Sequence, residues 1–136
     1  MSVGTIFAIA SSGLDAQSER ITLIAQNLAN ANSTVSANGG PYQRRIPVFQ
    51  ATPVGADGDS GLGVSLAEVI RDQSPPRAVY DPSNPLAGPS GIVQEPNINP
   101  IYEMVDLMEA SRAYEANLSV IQSTANAAVK TIDLLK

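Results

Sequence analysis

Read at every third and fourth residue, the first part of the chain gives Phe7, Ala10, Leu14, Gln17, Ile21, Ile24, Leu28 and Ala31, apolar at every position but Gln17. Alternating steps of three and four keep side chains on one face of a helix, so the spacing predicts an amphipathic helix with a coiled-coil seam. The last part repeats the device with Met104, Leu107, Ser111, Tyr114, Leu118, Ile121, Ala125, Ala128, Ile132 and Leu135. No Gly or Pro interrupts that second stripe after Pro100, and at about 1.5 Å per residue it predicts a helix some 50 Å long. The first helix carries Gly4 and Gly13, each weakening it by about 1 kcal/mol relative to Ala, so residues 14–31 read as its firmer part. Ser12 followed by Asp15 has the form of a capping pair that restarts the helix. The Asn residues at 27, 30 and 32 tolerate the left-handed backbone that closes one.

Between the stripes the pattern changes character. All ten prolines fall from Pro41 to Pro100, where they bar long helices. Tyr42 to Gln50 mixes β-formers with one Pro and predicts an edge strand, while Leu62, Val64 and Leu66 alternate with small residues as in a half-buried strand. Arg77–Tyr80 and Gly91–Gln94 are two further short strands, separated by the turn-forming residues 81–88. The chain therefore reads as α+β, mainly α. Its N- and C-terminal helices pair as an antiparallel coiled coil, with a small β-rich insertion between them. The divisions are 1–37 (first helix and exit loop), 38–100 (Pro/Gly-rich middle) and 101–136 (second helix).

Composition sharpens this picture. Of 136 residues 43% are hydrophobic but only 4% aromatic, which suits thin helical layers better than a thick core. The net charge is −5, and Arg44 with Arg45 is the one adjacent basic pair, which argues against nucleic acid. There is no Cys and no His, removing thiol nucleophiles, imidazole bases and the usual zinc ligands. No run approaches the roughly 18 apolar residues of a transmembrane segment. Ala8-Ile9-Ala10 imitates a cleavage site, but no basic residue precedes the short apolar stretch.

Candidate chemistry is sparse. Counting from Asp57 as a calcium loop puts Glu68 at the twelfth place, but Leu62 stands where the loop needs Gly, so a solvated turn is the better reading. The glycosylation-like triplets at Asn32 and Asn117 are weak, the second lying within a helix. Glu103, Asp106 and Glu109 share a helix face with Arg112 and Glu115, which reads as a solvated, ion-paired surface in preference to an acid–base or metal site. Two glycine- or lysine-containing serine nucleophile patterns are absent. No catalytic residue, metal site or cofactor is assigned. The residues singled out are an assembly seam: Phe7, Leu14, Ile21, Ile24 and Leu28 on the first helix, and Met104, Leu107, Tyr114, Leu118, Ile121, Ile132 and Leu135 on the second. The small, Pro-rich middle is expected to offer little apolar surface to cover such helices, so the partners of the seam are the other helix and neighbouring molecules. A hydrolase built on Glu103 and Glu109, and an adaptor that binds one partner helix, are the readings weighed against assembly.

Several stretches carry a family resemblance. IAQNLANAN (24–32), GGPYQR (39–44), VFQA (48–51), SPPRAVYDP (74–82) and NINPIYEMVDLMEASRAYEAN (97–117) together resemble the bacterial flagellar basal-body rod proteins, and among them the proximal-rod FlgC family, over nearly the whole chain. The motif positions are Asn27, Leu28, Asn30, Asn32, Tyr114 and Asn117. The Asn-rich helix end marks only the broad class; SPPR, YDP and the short length point to this member. Ser33, where the family usually has Thr, and the turn after Pro82 depart from the pattern. The resemblance implies paired terminal helices in an inner layer with a β-rich part outside, stacked into a hollow periplasmic drive shaft that transmits torque and conducts exported subunits. It also implies export by the flagellar type III apparatus without a cleaved signal. The implied partners are copies of the chain, other rod proteins, the membrane-ring base and the export gate.

Overall fold

The computed structural model describes residues 2–36, 39–55 and 61–134. The order of elements is α1 (Val3–Ala29), β1 (Arg45–Val54), β2 (Gly61–Arg71), β3 (Arg77–Tyr80), β4 (Ile92–Glu95) and α2 (Pro100–Asp133). This is the α+β arrangement that the two stripes and the Pro-rich middle imply. The Asp57 turn weighed above as a calcium loop, and seam position Leu135, lie outside the described residues, apart from Gly61 onward in β2.

Each helix begins on a side chain that satisfies its free N–H groups. Ser2 Oγ accepts from Thr5 N at 3.2 Å, and Asn99 Oδ1 accepts from Ile101 N at 3.0 Å with Pro100 in the first turn, where a missing N–H costs nothing. α1 runs unbroken through Ser12, so no second cap forms there. Ser12 Oγ instead donates to Ile9 O at 2.7 Å and accepts from Val64 N at 3.1 Å. A hydroxyl has capacity for both, and the strand N–H it receives outweighs a local restart. At the other end Asn30 closes α1 at φ −104, with its Nδ2 donating to Gln26 O at 2.8 Å. Positive φ among the described residues is confined to glycines, so the Asn-rich end works through its amides and not through left-handed backbone.

The helices are antiparallel: Gly13 lies against Asn117, Arg20 beside Asp106 and Glu109, and Asn27 beside Glu103. A Cβ on Gly13 would stand 2.7 Å from Asn117 Nδ2, so the crossing depends on a bare backbone at that position. Ala10 and Ala110 are buried nearby in sequence, and small side chains let the axes come close. Each step up α1 is a step down α2, so the last turns of α2 run past the start of α1.

β1 and β2 form an antiparallel hairpin, Arg45 opposite Arg71 at its base and Val54 opposite Gly61 at its far end. A register shift between Val48 and Phe49 leaves Ala67 of β2 extra, and such a bulge increases the twist. β2 lies on α1 through glycine: Cβ atoms at Gly61 and Gly63 would meet Ile9 Cδ1 at 2.7 Å and Ser12 Oγ at 2.5 Å. Thr5, Ala16, Leu23 and Asn27 are buried on a face of α1 distinct from the Leu14–Ile21–Leu28 line. The middle thus covers one face of α1, contrary to the expectation that it offers little surface. β3 and β4 pair as a second antiparallel hairpin, with Val93 of β4 buried and no further strand paired to it among the described residues. Gly91, at φ +71 and 2.8 Å from the Tyr80 ring for an added Cβ, turns the chain into β4.

Candidate assembly interface

Asn27 sits on the last turn of α1 and is 1% exposed. Its Oδ1 accepts from Arg45 N at 2.8 Å and Tyr42 Oη at 3.2 Å, and its Nδ2 donates to Arg45 O at 2.9 Å and Glu103 Oε2 at 3.2 Å. A carboxamide has two donor hydrogens and two acceptor lone pairs, and all four are used. Asn27 therefore pairs with the first residue of β1 as a neighbouring strand would. Glu103, likewise 1% exposed, takes the Arg44 Nε–H on its other oxygen. Arg44 Nη2 continues to Asp106 Oδ2 at 3.2 Å, and Arg20 lies 3.8 Å from Asp106 and 3.9 Å from Glu109.

This knot corrects the solvated acidic face. Glu103 is at the core of the junction and Asp106 at its edge, whereas Glu109, Arg112 and Glu115 stay in solvent; the cations beside the three acids are Arg44, on Glu103 and Asp106, and Arg20 of α1, on Asp106 and Glu109. A buried carboxylate is tolerated because each oxygen has a donor and one donor is a cation. The Tyr42 hydroxyl is pushed above its ordinary pKa by burial, with Arg45 opposing and Glu103 reinforcing. Asp72 is held below its ordinary value chiefly by the Ser74 hydroxyl and amide. Among the described residues no group of His, Cys, Asp or Glu is placed to hold a metal ion.

The seam positions divide. On α1, Ile24 is buried and Phe7, Leu14, Ile21 and Leu28 are half-buried. On α2, Leu107 and Ile121 are half-buried, whereas Met104 (54%), Tyr114 (36%), Leu118 (38%) and Ile132 (58%) are exposed. The face of α2 turned inward carries Glu103 and Ala110, so the apolar stripe is rotated away from α1 by part of a turn. Of the motif positions, Asn27 is the centre of the knot, Asn30 closes α1 and Asn117 meets Gly13, while Leu28 is half-buried and Asn32 and Tyr114 are exposed. Gln17 Oε1 is buried without a hydrogen-bond partner among the described residues.

A second apolar row went unread in the sequence. Met104, Val105 and Met108 lie three, four and seven residues along α2 from Ile101, the four of them on the face opposite Glu103 and Ala110 and all exposed. Their i, i+3, i+4, i+7 pattern was available, but the longer heptad stripe beside it claimed Met104. Val129 and Ile132 continue the exposed apolar surface where α2 outruns α1.

Two antiparallel terminal helices are thus locked to a hairpin, with apolar rows left facing outward. The family model described as flagellar basal body rod FlgEFG protein C-terminal matches residues 90–134, which take in β4 and α2. The chain is 44% identical over 134 residues to the flagellar basal-body rod protein FlgC of Escherichia coli O157:H7 and 43% identical to that of Salmonella typhimurium, with 98% of each chain covered. It is 42% identical to the FlgC of Agrobacterium fabrum, over 94% of this chain and 91% of the relative. The chain belongs to the FlgC family of flagellar basal-body rod proteins.

Proposed function

We propose that this chain is a non-catalytic subunit of the proximal rod, stacking with copies of itself and with other rod proteins into the hollow periplasmic shaft that carries torque and passes exported subunits. The observation that carries the reading is the outward apolar surface of α2, from Ile101 to Ile132, beside a buried knot that makes both helices and the hairpin one body. A shaft needs many distributed contacts held at fixed angles; the apolar rows supply the contacts and the knot supplies the angles. Heptad seams hold register because sliding by one residue takes every apolar side chain off its partner. No helix among the described residues is long and apolar enough to cross a membrane, so anchoring falls to neighbours such as the membrane-ring base. Export through the type III gate without cleavage fits the fold, because cutting after Ala10 would remove Thr5 and Ile9, which α1 packs against β2.

The test is Leu118→Asp, expressed in a strain lacking the wild-type gene. Leu118 is 38% exposed in the single chain, so the variant is expected to fold and be secreted yet be missing from purified basal bodies, with loss of swimming. Normal rods containing the variant would remove Leu118 from the seam. A finite complex with one partner, in place of a polymer, would favour the adaptor reading.

A further inference from the structure

α2 does not meet α1 on its most apolar face. Its inward line is Glu103, Ala110 and Asn117, the first two buried and the third half-buried against Gly13, whereas Leu118 of the apolar stripe is exposed and Leu107 half-buried. At about 100° per residue, Leu107 and Leu118 stand roughly 40° and 60° round the helix from Glu103, both on the same side. A roll of roughly 50° would bring them onto α1. Apolar burial favours that roll, yet the helix encloses a carboxylate instead. Another force holds the rotation.

The restraint is electrostatic. Glu103, Asp106 and Glu109 are spaced by three, so each stands roughly 60° further round than the last, in the direction away from Leu107 and Leu118. Their cations belong to other elements. Arg44, just before β1, donates to Glu103 Oε1 through Nε and to Asp106 Oδ2 through Nη2 at 3.2 Å. Arg20 of α1 lies 3.8 Å from Asp106 and 3.9 Å from Glu109. Both arginines therefore hold the flank of α2 that lies across the inward line from the stripe. Rolling the stripe onto α1 would carry Asp106 away from both arginines and take Glu103 off Arg44 and Asn27, leaving a charge without its partner.

We propose that Glu103 and Asp106, held by Arg44 and Arg20, latch α2 against rolling onto α1 and so keep its apolar stripe turned outward for neighbouring subunits. The latch stops a single chain from burying its own assembly surface. Its use in assembly rests on the reading of the stripe as the surface that meets other rod subunits; the restraint on rotation stands on the geometry of one chain.

The chain has no Cys, so one introduced thiol reports on one position. Leu118→Cys lies on the stripe. Ala113→Cys, roughly 80° round from Glu103 on the other side, replaces a half-buried residue. Each is placed in the otherwise native full chain and in an E103A/D106A background, and the rate of maleimide labelling of the free chain is measured. Loss of the latch is expected to slow labelling at 118 about threefold or more and to speed it at 113 by a similar factor, with helix content by circular dichroism unchanged. Should the alanine pair lose helix content, E103Q/D106N replaces it and is expected to move both rates in the same directions by less. Rates unchanged at both positions would mean that the small residues between the helices set the rotation, and would overturn the proposal. Faster labelling at both positions, which marks separation of the helices and not a roll, would overturn it too, as would loss of helix content in both variant pairs. In a strain lacking the wild-type gene, the rolled E103A/D106A chain is expected to be depleted from basal bodies, and its incorporation at wild-type level would overturn the proposed use of the latch. Normal rods built from Leu118→Asp would instead overturn the reading of the stripe as an assembly surface and leave the labelling result standing.

Discussion

Glu103 and Glu109 are six residues apart on one helix and do unlike things. Glu103 is enclosed, with Arg44 and Asn27 on its two oxygens, whereas the Glu109 side chain is 65% exposed and 3.9 Å from Arg20. Replacing Glu103 by Gln keeps the shape but removes a charge-assisted bond and forces one amide hydrogen toward a donor; the expected cost is about 1–3 kcal/mol. Glu109→Gln is expected to stay within about 0.5 kcal/mol, as surface ion pairs do. Urea unfolding of the two variants beside the wild type checks this, and equal midpoints would mean that the knot is not stabilising. Gln17 is the converse case. Its Oε1 is buried without a hydrogen-bond partner among the described residues, so Gln17→Leu is expected to raise stability by about 1 kcal/mol, while removing a polar residue that helps set helix register. Thermal unfolding reads the first effect.

At the scale of elements, the hairpin is held to α1 by shape. Gly63 lets β2 approach until Val64 N reaches Ser12 Oγ at 3.1 Å. Gly63→Ala is expected to destabilise by about 1–3 kcal/mol, because its Cβ would fall 2.5 Å from Ser12 Oγ and 3.0 Å from Val54 Cγ1. In a Ser12→Ala background the first clash is gone, so the same change is expected to cost about 1 kcal/mol less. A double-mutant cycle measures that coupling, and additive effects would mean that the strand and helix do not meet there. In the β3–β4 hairpin Tyr80 is exposed, so Tyr80→Ser is expected to leave the helix pair unaffected.

For the molecule as a whole, the geometry grades the stability along α2. Its start is tied into the knot and its middle lies against α1, but its last turns extend past Val3, with Val129 and Ile132 each 58% exposed. Amide exchange in dilute solution is expected to be slowest around Asn27, Arg45 and Glu103–Ala110 and fastest from Ala128 onward. Incorporation into rods is expected to slow that terminal stretch by covering it. Uniform protection along α2 in the free chain would overturn this gradient.

The two helices, the Pro-rich β middle and the four strand locations were legible in the sequence because local periodicity and breakers act over a few residues. Arg77–Tyr80 matches its strand end to end, and the other three strands differ by a few residues at their ends. The rotation of the α2 stripe was not legible, since a heptad pattern shows that a face is apolar but not which partner meets it. Nor was the role of Asn27, Arg44 and Glu103. Asn27 and Glu103 lie 76 positions apart, and the sequence showed only a helix-end amide and an acid of the kind that usually faces water. What determined otherwise is that antiparallel pairing brings the end of α1, the start of β1 and the start of α2 to one point. There one amide with four hydrogen-bonding sites and one carboxylate with two oxygens can each be fully satisfied away from solvent.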